Sequence, residues 1–459
     1  MHKDVSIIGA GLVGSLLSIY LARRGYAVSV FERRPDMRKE KIAAGRSINL
    51  ALSDRGWRGL DNVGLKDEVT KIAIPMYGRM VHGTDGKQNL QPYGKTDQAI
   101  YSVSRSALNK LLLNVAEQQP NIRINFNNRA DRIDLDRREI IFNVQTFFIE
   151  NNTNFSASTS SQKVQSFDLL FGADGAYSAL RHSMQFTDRF NYSQSYIEHG
   201  YKELTIPAGI NEHHLLYKNA LHIWPRKNFM LIALPNLDGS FTCTLFFQFD
   251  GSLSFSTLKT EADIQHFFEE YFPDCIPLMP AYKEDFLNNP VASLVTVKCF
   301  PWTSEDKASL IGDAAHAMVP FFGQGMNCGF EDCTVLDDLI SRHGENWQLI
   351  LSEFESLRKP NADAIAELAL NNFIEMRDLV ADPHFLKKKK IEKLLTEKYP
   401  QEFISPYSMV SFSHIPYAEA LRKGKAIKEL LEKLANEEHI ETAIERPEIS
   451  EWMKSFANS

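Results

Sequence analysis

The sequence predicts an α/β fold: a Rossmann-type nucleotide-binding domain interrupted by an antiparallel β-sheet domain and followed by a helical C-terminal region. Three observations carry this. A glycine-punctuated strand–helix–strand unit opens the chain, β-rich runs separated by turn residues fill its middle, and charged sequence of helical period closes it. At 459 residues, 44% hydrophobic and 24% charged, the chain is an ordinary globular mixture too long for one core. Its net charge of −7 argues against a nucleic-acid partner, because phosphate binding needs a basic surface. Five cysteines with no C-x-x-C pair form no disulfide framework and point to a reducing, cytoplasmic setting.

Val5-Ser6-Ile7-Ile8 reads as a short buried strand, Leu12 to Arg24 as a helix stopped by Gly25, and Ala27 to Phe31 as the next strand, closed by Glu32. Val5 to Ala22 carries no charge, as a signal peptide or membrane span would. Asp4, the missing cleavage site and the fixed glycine spacing argue against both, so a soluble protein with no membrane anchor is expected. A strand over Gln98–Val103 and a leucine-rich helix over Arg105–Gln118 follow, and Asn151 to Gln162 reads as a polar hairpin loop. Leu221–Trp224, Phe229–Leu234 and Phe241–Phe249 are predicted strands, with turns at Pro225–Asn228 and Pro235–Gly239. Ala308–Gly312 returns to βαβ character, and from about Leu349 the chain reads as helical.

Gly9-Ala10-Gly11-Leu12-Val13-Gly14 is G-x-G-x-x-G between strand and helix. Gly9 permits the turn, Gly11 lets backbone approach a pyrophosphate, and Gly14 lets helix and strand pack closely. The helix N-terminus then faces the phosphate, and Glu32 is placed to accept a ribose hydroxyl. Such a unit holds NAD or FAD. Two later motifs bear on the choice: Asp168 to Ala176, a strand running into Gly172-Ala173-Asp174-Gly175, and Leu310 to His316, a strand running into Gly312-Asp313. In each, an aspartate beside glycine suits a sugar hydroxyl.

The order G-x-G-x-x-G, D-G, G-D resembles the single-component FAD aromatic hydroxylases, the p-hydroxybenzoate hydroxylase-like class. In that class the G-D aspartate binds the ribityl chain, and a following helix, here starting near Gly325-Met326-Asn327, aims its N-terminus at the reduced flavin. Arg46–Leu52, Tyr77–His82, Leu90–Gly94, His222–Pro225, Val319–Asn327, Asn372–Met376 and Tyr407–Phe412 narrow the resemblance to the kynurenine 3-monooxygenase family, over about residues 3 to 425. Mitochondrial members carry a C-terminal anchor that is not seen here, so the likeness is to soluble bacterial-type members.

The resemblance implies hydroxylation of L-kynurenine to 3-hydroxykynurenine through a flavin C4a-hydroperoxide, with FAD bound, NADPH as a transient co-substrate and O2 consumed. It implies that Arg79 and Tyr93 hold the substrate carboxylate, with Asn372 and Tyr407 completing the polar pocket. An arginine and a phenol suit a carboxylate chemically. Leu221, Met230, Leu234, Phe246 and Met376 would wall the aniline ring, and Pro320 and Phe321 would shield the hydroperoxide, with no general base assigned. Apart from the resemblance, the apolar residues read as ordinary sheet core and Arg79 as either a surface ion pair or a ligand group. On the flavin side it adds Val13, Arg34, Ala51, Arg105, Met326 and Asn327 to Gly9, Gly11, Gly14, Glu32, Asp174 and Asp313.

The expected division is 1–75, 100–185 and 295–348 for the FAD-binding domain, 76–99 and 186–294 for the β-sheet substrate domain, and 349–459 for the helical region. A homodimer is the assembly considered. Glu212-His213-His214 reads as a solvated loop and no metal is assigned. Lys387–Lys390 reads as a solvated helix face, and Ile427, Leu430, Leu431 and Leu434 as a packing stripe. The rival readings are hydroxylation of another aromatic acid, an NAD-dependent dehydrogenase built on the first unit alone, and a flavoprotein without catalysis.

Overall fold

The computed structural model describes residues 4–39, 49–94, 97–149, 156–376 and 383–458. Arg46 to Ile48 of the family-like stretch lie outside them. The first strand, Val5–Ile8, is the centre of a six-stranded sheet. It pairs in parallel with Val28–Phe31 on one side and Leu169–Gly172 on the other, in registers Val5↔Val28 and Val5↔Leu169. Leu169–Gly172 pairs in parallel with Ala308–Leu310, and Val28–Phe31 with Ile122–Asn125. The three glycine motifs therefore leave the carboxyl ends of three adjacent strands, where open α/β sheets bind ligands.

The uncharged run at the start has a structural reason. In the helix Leu12–Arg23 every residue from Gly14 to Ala22 is buried, because the sheet covers one face and the helix Gly325–His343 packs on another. No helix among the described residues is long and apolar enough to cross a membrane.

The second sheet has seven strands in the order Ala292–Phe300, Asn191–Ile206, Phe241–Gln248, Phe229–Pro235, Ala220–Arg226, Gly78–His82 and Gln88–Pro92. The three runs expected to form an antiparallel sheet do pair in that sense. Five of the whole sheet's pairings are antiparallel, but Ala220–Arg226 and Gly78–His82 run parallel. The latter strand arrives from a distant segment and enters the sheet in the opposite sense to a hairpin partner. The expected domain division at 294/295 falls inside Ala292–Phe300, which pairs with Asn191–Ile206 on both sides of a bulge.

Two turn expectations are corrected. Pro225 and Arg226 belong to their strand, opposite Met230 and Phe229, so the turn is only Lys227-Asn228, with Lys227 at φ +56°. The strand Ser156–Ser166 pairs along its length with Glu139–Ile149, so much of the polar run at 151–162 is strand, and its remainder lies outside the described residues. Polar composition hid this ladder, because backbone pairing needs no apolar face.

The C-terminal helices Pro383–Lys398, Pro406–Ser411, Tyr417–Ala435 and Pro447–Asn458 close on Trp347–Ile374 around their own apolar cluster. Ile427, Leu430, Leu431 and Leu434 all lie in it, as a packing stripe should. The lysine run is paired: Lys388 with Glu432, Lys389 with Glu375 and Lys390 with Glu441.

Candidate active site

The glycine loop is fixed by sterics. Gly9 sits at φ +102°, and a Cβ there would lie 2.4 Å from the Ala173 carbonyl oxygen. A Cβ on Gly14 would lie 2.0 Å from the Gly9 oxygen. Gly11 differs, since a Cβ there would meet nothing within 4 Å, leaving open space at the start of Leu12–Arg23. That helix and Gly325–His343 both begin without a side-chain cap, so their first N–H groups face an anion site unengaged. This pair of bare N-termini around open space fits a dinucleotide such as FAD.

The charged groups assigned to the flavin divide into two kinds. Arg105 and Asp313 are exposed and make no hydrogen bond or ion pair among the described residues. Asp313 Oδ1 lies 4.0 Å from the position a Cβ on Gly325 would take, facing the second helix N-terminus. The others are engaged by the protein. Glu32 Oε2 accepts from the Ala10 N–H at 2.9 Å and Oε1 from the Arg34 N–H and Nε at 3.0 and 2.8 Å. Burial raises the Glu32 pKa, but the Arg34 guanidinium and the backbone N–H groups outweigh it and hold the carboxyl below its usual range. Glu32 thus staples the glycine loop while Oε2 keeps room for one more donor.

Asp174 and Asn327 also make hydrogen bonds within the protein. Asp174 Oδ2 accepts from the Ala179 N–H at 2.6 Å and Oδ1 is buried without a partner, so the residue clasps its own loop. Burial pushes its pKa up. Asn327 gives both amide hydrogens to the carbonyls of Ala51 and Gly323, each at 2.8 Å, and accepts from the Ser53 N–H at 2.9 Å. Only its backbone N–H is left for a ligand. Val13 and Met326 pack on the flavin-domain core, and Val13 sits against Gly312 and Gly329.

The second cluster assembles from three separated segments. Arg79 lies in Gly78–His82, Tyr93 follows Gln88–Pro92, and Tyr407 stands in the first turn of Pro406–Ser411. The rings of Tyr93 and Tyr407 stack at 5.0 Å and 12°. The Arg79 guanidinium lies 4.9 Å from the Tyr407 centroid and 5.6 Å from that of Tyr93. Arg79 Nε and Tyr93 Oη are buried with no hydrogen-bond partner. Burial opposes the Arg79 charge, yet Tyr407, Tyr93 and Glu375 outweigh it and keep the group charged. Burial, with Tyr407, raises Tyr93 well above its usual value, so its phenol stays protonated as a donor.

Asn372 does not join this polar pair. Its Nδ2 donates to the Phe321 carbonyl at 2.6 Å and toward Met376 Sδ at 3.3 Å, so it clamps the turn Pro320–Phe322 onto Trp347–Ile374. Phe321 is buried between Phe373, stacked at 4.1 Å, and Phe246 at 4.9 Å, whereas Pro320 is exposed. Met230, Phe246, Phe321, Met376 and Leu221 share one apolar cluster, and Leu234 joins Tyr93, Tyr407 and Leu221 in the next. Leu221 links the two.

An FAD binding domain family model matches residues 2–369. The chain is 48% identical to the kynurenine 3-monooxygenase of Flavobacterium johnsoniae over 97% of its own length and 96% of that protein's. It is 47% identical to that of Myxococcus xanthus over 100% and 98%. The chain belongs to the kynurenine 3-monooxygenase family. Among solved structures, 2-methyl-3-hydroxypyridine-5-carboxylic acid oxygenase superposes with a TM-score of 0.64 at 21% identity, covering 84% of this chain and 95% of that one, a likeness of fold.

Several groups in this kynurenine 3-monooxygenase family member carry no signal readable in one sequence. Arg181 gives Nη1 to the Ala314 carbonyl at 2.6 Å and Nη2 to that of Ala176, tying the D-G loop to the G-D loop. Asp332 Oδ2 accepts from the Gly312 N–H at 3.1 Å and from His316 Nε2 at 2.7 Å, while Oδ1 accepts from Arg358 Nε at 2.6 Å. Burial opposes charge on His316, but Cys328 and Asp332 outweigh it and lift the imidazole well above its usual value. His316, Cys328 and Asp332 bring ligand atoms within 4.8 Å of one another. Arg358 also reaches the Cys328 sulfur at 3.3 Å, so a fixed cation occupies the place a metal would need. Phe322 stacks on Tyr407 at 5.5 Å, and Glu375 is the carboxylate acting on Arg79. Both stand in stretches that carry the family likeness, with no role legible from residue type.

Proposed function

We propose that this FAD-dependent monooxygenase hydroxylates L-kynurenine to 3-hydroxykynurenine, consuming NADPH and O2. The observation that carries the reading is the pair of buried, unpartnered donors, Arg79 Nε and Tyr93 Oη, beside an apolar cluster. A buried donor without a partner costs about 1–3 kcal/mol, a cost that a ligand carboxylate relieves. Arg79 is the charge that holds the carboxylate, Tyr93 adds a neutral donor, and Tyr407 keeps both in place by stacking. Leu221, Met230, Leu234, Phe246 and Met376, which line the two adjoining apolar clusters, would wall the aniline ring.

FAD, when bound, supplies the activation of O2 and the transfer of one oxygen atom to the ring. Gly9, Gly11 and Gly14, with the N–H groups at the two helix starts, take its phosphates and flavin edge. Arg105 and Asp313 are the side chains free to contact it. Phe321, held by Asn372, keeps water from the oxygen-transfer space. The aniline nitrogen donates electrons into the ring, so no general base is required. Cytoplasmic location rests on five buried cysteines, all free, and a homodimer is the assembly to test by light scattering.

The test is NADPH oxidation by FAD-loaded protein with and without L-kynurenine, assaying 3-hydroxykynurenine and peroxide together. Stimulated oxidation with matching hydroxylated product supports the reading. Stimulation that yields only peroxide would make kynurenine an effector and another aromatic acid the substrate.

A further inference from the structure

Arg55 lies in the flavin domain, in the helix Asp54–Asp61 that follows the Asn49–Leu52 strand, and is 1% exposed. Its partners are in the C-terminal region. Nε donates to the Val410 carbonyl at 3.2 Å, and Nη2 to the carbonyls of Met409, at 3.4 Å, and Ile415. Nη1 pairs with Glu331, whose other oxygen holds Arg358 at 2.6 Å. The guanidinium plane lies 3.9 Å from the centroid of the Tyr417 ring. Tyr417 in turn donates its hydroxyl to Gln324 at 2.8 Å, the residue just before the helix N-terminus that faces the flavin site.

Met409 and Val410 are the last turn of Pro406–Ser411, whose first turn carries Tyr407. Ser405 caps the start of that helix, its Oγ accepting from the Ser408 N–H at 3.2 Å. Arg55 satisfies the Val410 carbonyl left over at the end, and adds to the Ser413 hydroxyl on that of Met409, groups that a helix this short cannot satisfy itself. Only a planar group with five donors can serve three carbonyls and a carboxylate while stacked on a ring.

We infer that Arg55 is a positioning residue for substrate recognition: from the flavin domain it fixes the helix that brings Tyr407 onto Tyr93 and Arg79. It couples the flavin-facing segment around Gln324 to the carboxylate pocket without touching substrate or cofactor. The inference rests on the pocket assignment made under the proposed function.

The experiment measures L-kynurenine affinity from the flavin absorbance change in FAD-loaded wild type, Arg55→Lys, Tyr407→Ala and the double variant, with FAD content as a control. The dissociation constant should rise about tenfold in Arg55→Lys, the size of one lost charged hydrogen bond, with FAD content unchanged. In the Tyr407→Ala background the same substitution should add almost nothing, because its effect passes through Tyr407. An unchanged constant in Arg55→Lys, or an equal rise in both backgrounds, overturns the inference. Tyr417→Leu, which removes the ring beneath the guanidinium together with its hydroxyl bond to Gln324, serves if Arg55→Lys does not fold, with an expected rise of about threefold or more from the lost stacking. An unchanged constant there overturns the inference as well. Wild type that fails to bind L-kynurenine overturns the pocket assignment and this inference together, whereas variants that bind as wild type does overturn this inference alone.

Discussion

The flavin cradle and the carboxylate pocket are built on opposite plans. In the cradle the shape is set by backbone and by missing side chains, and Glu32, Asn327 and Asp332 have their hydrogen bonds met within the protein, while Asp174 is met at one oxygen only. In the pocket the shape is set by three rings and a guanidinium from distant segments, and two buried donors are left unmet. A site that keeps its cofactor can be self-satisfied and wait on helix N-termini. A site that exchanges its ligand keeps its unmet groups for that ligand.

The largest expected effect breaks one site and spares the other. Arg79→Ala removes two charged hydrogen bonds at about 1.5–3 kcal/mol each, so L-kynurenine affinity should fall by about two to four orders of magnitude. FAD content, read from flavin absorbance per protein, should stay at the wild-type level. Gly14→Ala is the reverse case. Its methyl would stand 2.0 Å from the Gly9 oxygen, an overpacking of about 3 kcal/mol, and FAD should bind about a hundredfold more weakly. Substrate binding by residual FAD-loaded protein should be unaffected, and a lost pocket there would mean that the two sites are one unit.

The two regions also differ in the sign of their pH response. On the far face of the substrate sheet, His222 Nε2 donates to the Tyr217 carbonyl at 2.9 Å, and Nδ1 accepts from His82 Nε2 at 2.8 Å. A proton on Nδ1 would set two N–H groups against each other. Burial first, with His82 adding to it, lowers His222 from 6.5 to about 4 despite the Tyr217 carbonyl. The unfolded chain therefore binds more protons between pH 6.5 and about 4, and the stabilisation is full above that window and lost as pH falls through it. That loss is about 3 kcal/mol, visible as a falling melting temperature and absent in His222→Asn. His316, raised by Cys328 and Asp332 against its burial, acts the other way, stabilising below its unfolded value and losing that stabilisation as pH rises through its elevated one. The smallest effect is Tyr93→Phe, which removes one neutral donor worth about 1 kcal/mol and should weaken substrate binding about fivefold with FAD unchanged.

The first sheet was legible because its strands obey local rules. Gly9 and Gly14 sit where turn and packing demand them, and the motif strands were expected to within a residue or two. The parallel entry of Gly78–His82 beside Ala220–Arg226 was not, since pairing between distant segments leaves no mark on either. Among side chains, Arg79, Tyr93 and Tyr407 were brought together as the family likeness implied. Residue type and motif suggested that Glu32 and Asp174 would face a ligand, and the resemblance implied it for Asn327 and Asn372, but their carboxylates and amides are mostly engaged by nearby backbone. Arg55, Arg181, Asp332 and Arg358 were missed because a buried charge is recognised only by its partners, which lie far along the chain.

The most direct test compares L-kynurenine with kynurenamine, which lacks the carboxylate, by titrating the flavin spectrum of wild type and Arg79→Ala. Wild type should prefer L-kynurenine by about a hundredfold or more, and the preference should vanish in the variant, as two charged hydrogen bonds require. Equal affinity of wild type for the two ligands would contradict the assignment of Arg79 and Tyr93 as the carboxylate site.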